Sequence, residues 1–365
     1  MLTRESLSAL LDISRDPDFG PAIEWISIST DHLVSAEAVA DPSIFVENPI
    51  WPSSLQGVSP VNGCEDYLAD QEEFHRLGLD TTFLAQALQS ATNCRNIIIN
   101  GEDKPWGAVI VKEKTGYFPP IGTDWDEDCD HVQRAVHVVI AALAASNTQV
   151  ELLGFKSELP QKTVTPTMLD LPGFCLNPTL PWIKSLKNLQ MSISFELDPE
   201  KEAKALAKFV MLFPGLTYLT FKFPDIHAHD ENVAALSRHL KLPSIQTLKF
   251  DGSDCHPDIL LSFLHGLHPE ELYLVNVDFG IEGTWQPFLA RARDELNLSK
   301  FYMEECQEMS DEIWFGEGDH YIAQRMFLDT TGEDSDPSLL WNRLINGIRR
   351  SLNLWDPSGK VHLIR

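Results

Sequence analysis

Between residues 216 and 303 apolar side chains return in a short phrase, at positions 1, 4 and 6, with polar residues between them. The copies are Leu216-Thr-Tyr-Leu-Thr-Phe221, Ile245-Gln-Thr-Leu-Lys-Phe250, Pro269-Glu-Glu-Leu-Tyr-Leu274 and Leu298-Ser-Lys-Phe-Tyr-Met303. Their fourth-position anchors, Leu219, Leu248, Leu272 and Phe301, lie 29, 24 and 29 residues apart. A period of roughly 20–29 residues built on LxxLxL is the signature of a leucine-rich-repeat solenoid. Alternation at positions 4 and 6 predicts a short strand with those side chains buried, and positions 3, 5 and 7 on the outer face.

The same pattern, less regular, predicts strands at 23–28, 94–99, 150–152 and 186–191. Apolar stripes at helical spacing predict the returning helices. The first covers about 3–14, with Leu7, Leu10 and Leu11, and others are expected near 67–76, 80–92 and 131–146. Asp198-Pro199-Glu200 reads as an N-cap, a first-turn proline and an acid at the positive helix end, ahead of Ala203, Leu206 and Val210. Val233, Leu236 and Leu240 serve the next helix, and Trp285, Phe288 and Leu289 serve the last. Between them runs a helix on Leu260, Phe263, Leu264 and Leu267, with Asp254 and Pro257 expected to open it. Each stripe is read as core, not as a cofactor box. The fold class predicted is α/β: a leucine-rich-repeat solenoid over 1–305, strands on the concave face and helices on the convex face. Insertions are expected at about 36–77, 101–130 and 156–181. Residues 306–365 read as an acidic segment followed by an amphipathic helix on Leu340, Leu344, Ile348 and Leu352 that covers the last repeat. Helix, turn and strand begin with the first residues, so the pattern predicts a further capping element ahead of Met1.

Charge narrows the partners. Asp and Glu number 54 against 28 Lys and Arg, a net charge of −26. Nucleic acid and anionic membrane both call for clustered Lys/Arg, so neither is an expected partner. The six cysteines form no CxxC pair, which leaves no zinc ribbon or disulfide framework and points to a reducing compartment, cytoplasm or nucleus. No signal peptide and no apolar run of membrane-spanning length is visible.

Position 3, 5 and 7 residues of the four clear repeats give the candidate partner-binding face: Tyr218, Lys222, Lys249, Asp251, Tyr273, Tyr302 and Glu304. Tyrosine with interspersed charge is the chemistry of a protein-binding hot spot, although strand propensity alone also favours Tyr there. No GxSxG, Walker, GxGxxG, HExxH or EF-hand motif occurs, so no catalytic residue, cofactor or metal site is assigned. The one catalytic-looking string is Asp225-Ile-His-Ala-His-Asp-Glu231. It makes a metal-dependent hydrolase using His227 and His229 the alternative reading, against solvated histidines beside an N-capping Asp230. The acidic run 124–130 lacks the spacing and glycine of a calcium loop and reads as a solvated charge run.

The opening phrase Leu2-Thr-Arg-Glu-Ser-Leu-Ser-Ala-Leu-Leu-Asp-Ile-Ser-Arg15, continuing through Ile26-Ser-Ile-Ser-Thr-Asp-His-Leu33, resembles the region after the F-box in fungal F-box/leucine-rich-repeat proteins. The irregular repeats with long insertions share that texture. The resemblance implies a substrate-recognition repeat region of a cullin-type ubiquitin-ligase adaptor. No LPxE-type F-box start occurs in the chain, so adaptor docking is expected only if an F-box lies upstream. No family residue carries over. The function expected is a non-enzymatic protein–protein interaction module, with a repeat scaffold unrelated to ubiquitination as a further alternative.

Overall fold

The computed structural model describes residues 2–31, 63–101, 113, 125–157, 159, 162–196, 198–224, 230–242, 245–280, 284–308, 311–315, 325–329, 341, 345 and 348–350. The insertion residues 36–62 and most of 101–124 lie outside them, as do 330–336. The chain divides into two compact units, Met1–Ser192 with Leu212–Gly215, and Ile193–Met211 with Leu216–Arg365. Each is α/β with parallel strands. Among the described residues no helix is long and apolar enough to cross a membrane.

The first unit opens with α1 (Arg4–Arg15), capped by Thr3, whose side chain accepts from the Ser6 amide, and carrying Arg15 at its negative end. Then follow β1 (Trp25–Ser29), α2 (Gly63–Arg76), α3 (Leu79–Ser90), β2 (Asn96–Asn100), α4 (Trp125–Ser146), β3 (Leu152–Lys156), α5 (Pro181–Ser185) and β4 (Asn188–Ser192). The four strands pair in parallel with Ile26, Ile97, Leu153 and Leu189 in one row. The core of this unit includes Leu84, Leu88, Val136, Val139 and Leu143, all close to fully buried.

One expectation here needs correction. The strand expected at 150–152 runs three residues later, because Val150 fills position 1 of the phrase and Leu153 and Phe155 fill positions 4 and 6. Apolar residues at 150, 152, 153 and 155 satisfy two alternating frames, and only strand pairing chooses between them. The outer positions of β3 are therefore Leu152, Gly154 and Lys156. The irregular segment expected as an insertion at 156–181 includes a buried stretch among its described residues. Lys162, Thr163, Val164 and Thr165 are buried, and a 3-10 turn at Pro166–Leu169 offers its Met168 carbonyl to His137 Nε2 at 3.1 Å. The acidic run also gains structure, since α4 begins at Trp125 and not at His131.

The second unit contains α6 (Pro199–Val210), β5 (Tyr218–Lys222), α7 (Asp230–His239), β6 (Thr247–Asp254), α8 (Pro257–Leu267), β7 (Glu271–Asp278), α9 (Trp285–Glu295) and β8 (Lys300–Glu304). Asp198 caps α6 through the Lys201 amide at 3.1 Å, and Glu202 reaches back to the amides of Glu196 and Asp198. This reciprocal arrangement satisfies the donors that a helix start leaves open. Strands β5 to β8 pair in parallel with Leu219, Leu248, Leu272 and Phe301 in register, as the repeat anchors predict. Position 6 supplies an aromatic layer: Phe221 and Phe250 lie 6.3 and 5.7 Å from the Phe263 ring of α8.

Strands β6 and β7 run past position 7 through a left-handed residue at position 8. Gly252 has φ +75, Asn276 in the paired place has φ 51, and Glu305 in the place that follows Glu304 has φ 53. The turn re-aims the chain so that Ser253, Val277 and Cys306 are buried and a second short strip of pairing forms, Asp254 with Asp278 and Asp278 with Gln307. Asp254 is therefore still strand, and the residue that caps α8 is His256, not Asp254. Its imidazole accepts from the Asp258 amide at 3.2 Å.

Beyond β8, the strands β9 (Gln307–Glu308), β10 (Asp311–Phe315), β11 (Arg325–Asp329) and β12 (Ile348–Arg350) pair antiparallel: β11 on β8, and β10 with both β9 and β12. Within the span of the expected terminal helix Trp341 and Ile345 are helical, but Ile348 pairs with Phe315 in a strand; Leu340, Leu344 and Leu352 lie outside the described residues. A spacing of four is even, so it fits alternation along a strand as well as one helix face. Trp341 packs its ring 5.4 Å from that of Phe301.

Candidate partner-binding face

Strand register sorts the outer side chains of β5 to β8 into three rows. The first holds Tyr218, Thr247, Glu271 and Lys300, the second Thr220, Lys249, Tyr273 and Tyr302, and the third Lys222, Asp251, Val275 and Glu304. Opposite residues on neighbouring strands come within side-chain contact, which makes each row a continuous ladder. Tyr273 and Tyr302 are such neighbours, with ring centroids 5.6 Å apart and planes tilted by 44°. Tyr218 stands one row away and across β6, so the sequence-predicted trio is a pair with an outlier.

The charged residues of this face close on each other. Lys300 Nζ reaches Glu271 Oε1 at 2.6 Å, and Thr247 donates to the other Glu271 oxygen at 3.2 Å. Lys249 lies 3.4 Å from Asp251, and the Tyr302 hydroxyl donates to Glu304 at 2.9 Å. Asp251 departs from its expected role: it is 7% exposed, held by Asn276 Nδ2 at 3.1 Å. Position 7 lies next to the left-handed turn, and both Asp251 and Val275 are buried there. Asp251 therefore bears on the face chiefly through its ion pair with Lys249. The other six predicted residues are half-buried, as strand face residues are. Glu271 and Lys300 belong to the same face and were passed over, although their position 3 already marks them.

Burial raises the Tyr273 hydroxyl pKa, and the neighbouring Glu271 raises it further. The group stays a protonated donor at neutral pH. Nothing here resembles a nucleophile with its base. The unit's buried thiols are equally unsuited to nucleophilic work, since burial pushes Cys255 and Cys306 up to about 12.

No protein-family model and no curated protein matches this chain. His227 and His229 lie outside the described residues. Asp230 is the first residue of α7, and its carboxylate accepts from the His256 amide, tying the start of α7 to that of α8. His265 bonds Glu295 at 2.8 Å. Among the described residues no three His, Cys, Asp or Glu side chains gather as a metal-holding group.

Proposed function

We propose that this chain is a leucine-rich-repeat solenoid acting as a non-enzymatic protein-interaction module, with the outer face of β5 to β8 as its partner surface. The observation that carries the reading is the Tyr273–Tyr302 pair set among closed ion pairs. Two large rings held by strand pairing lose little freedom on binding, and their charged neighbours are already ordered. We further propose, from the resemblance of residues 2–33 and of the irregular repeats, that the face presents substrate to an F-box-type ubiquitin ligase.

The double variant Tyr273→Ala/Tyr302→Ala tests the face. Proteins retained by the immobilised chain are quantified for wild type, for the double variant and for Lys204→Ala on the exposed side of α6. A partner is expected whose retention falls at least tenfold in the tyrosine variant alone, about 1.4 kcal/mol, with thermal unfolding unchanged. Equal retention by all three would remove the face assignment. The ligase half is tested separately, by measuring binding of the longest gene product to the cullin-type adaptor; no binding leaves a repeat scaffold without a ligase link.

A further inference from the structure

Strand β1 is the edge of its sheet: among the described residues it pairs with β2 alone, in unbroken register from Trp25 to Ser29. The ladder fixes which backbone groups that edge shows. Glu24 O accepts from the Asn96 amide at 3.3 Å, and Thr30 N donates to Asn100 O at 3.0 Å, so even-numbered residues aim at β2. The N–H and C=O of Trp25 and of Ser27 therefore aim away from it. Folded proteins blunt such an edge with charge, proline, a bulge or a covering strand. Trp25-Ile-Ser-Ile-Ser29 has no charge and no proline, and its pairing has no bulge. In the second unit the outer edge of β8 is closed over five residues by β11. Strand β1 has no such cover among the described residues.

The residues around this edge select what can add to it. Ile13, Phe19 and Trp25 are three of the six exposed large apolar side chains among the described residues, so apolar surface is concentrated on the first helix, turn and strand. An added strand sets one side chain beside Trp25, which is 54% exposed, and an apolar or aromatic neighbour gains most there. The open charge is acidic. Asp12, Asp18 and Glu24 are exposed with no partner for their carboxylates among the described residues, whereas Arg4 is tied to Asp70 and Arg15 to Gln86. A second copy pairing edge to edge about a twofold axis would bring Asp18 and Glu24 toward their own counterparts, and like charges would meet. A cationic strand gains where a second copy loses. We propose that the open edge of β1 takes an extended basic segment of a partner protein as an added strand, apolar where it meets Trp25 and with Lys or Arg toward Asp18 and Glu24. Main-chain hydrogen bonds to Trp25 and Ser27 supply the affinity, and the charges supply the selectivity. This surface is separate from the Tyr273–Tyr302 face and does not depend on it.

The probe is a labelled peptide that alternates valine and threonine between terminal lysines, and fluorescence anisotropy with the full chain is the readout. Wild type is expected to bind it saturably, and not to bind the same peptide with methylated backbone nitrogens. Ser27→Pro removes one N–H of the open edge and leaves the bonds to β2, so it should bind at least tenfold more weakly, with Ser27→Ala within threefold of wild type. Asp18→Lys with Glu24→Lys should bind the lysine-ended peptide at least tenfold more weakly and prefer a glutamate-ended one. Tyr273→Ala/Tyr302→Ala should bind as wild type does. No saturable binding, equal binding of the methylated peptide, equal binding by Ser27→Pro, or a wild-type preference for the glutamate-ended peptide would each overturn the proposal. A dimer in sedimentation that Ser27→Pro abolishes would overturn it in favour of a second copy.

Discussion

Gly252 stands where only a residue without Cβ fits. Its φ is +75, and a Cβ there would sit 2.3 Å from the Phe223 carbonyl oxygen. That carbonyl belongs to the neighbouring backbone, whose amide already bonds Asp251 O at 2.8 Å, so it cannot yield without breaking strand pairing. Gly252→Ala is expected to cost at least ~2 kcal/mol, more than a left-handed conformation alone. Urea unfolding checks it, and a cost below ~1 kcal/mol would show that the strand end relaxes freely. A different residue-scale argument applies to Lys162 and Asp31, 131 residues apart and both desolvated. Removing one partner leaves a buried charge unmatched, so Lys162→Met should cost about 3–5 kcal/mol, whereas Lys162→Met with Asp31→Leu should recover most of that loss. A double-mutant cycle in urea gives the coupling, and additive costs would mean that water reaches the pair.

At the scale of elements, the strands β5 to β8 were legible because each phrase carries its anchor in one frame, with a helix of ordinary length between copies. Strand β3 was misread because Val150 and Leu153 both fit the anchor, and a single sequence carries no information on which neighbour row each will join. The left-handed step at position 8 was legible only at Gly252; Asn276 and Glu305 adopt the same region with no glycine to announce it. That step explains two further departures. It buries Asp251, which the outward rule had exposed, and it lengthens β6 so that His256 takes the capping role expected of Asp254. The tyrosine pair followed from position alone, because parallel pairing in register turns equal repeat positions into spatial neighbours.

For the molecule as a whole, the charge is unevenly assigned. On the outer rows of β5 to β8, Lys222, Lys249 and Lys300 match Asp251, Glu271 and Glu304, yet the chain carries a net −26. Excess negative charge therefore lies elsewhere, where it repels itself in the compact state more than in the expanded one. Exposed ion pairs such as Arg238–Glu200 and Arg291–Glu295 oppose this, but each is worth only ~0–1 kcal/mol and is itself weakened by salt. The Debye length shrinks from ~30 Å at 0.01 M to ~10 Å at 0.1 M, so added salt first silences the long-range repulsion and leaves close pairs largely intact. Raising sodium chloride from 10 to 300 mM at pH 7.5 is accordingly expected to raise Tm, by several degrees, in differential scanning calorimetry. A Tm that fell instead would mean that surface pairing outweighs the net charge. In that case the acidity would be acting locally, through paired side chains, and the balance seen on the tyrosine-bearing face would extend over the rest of the surface.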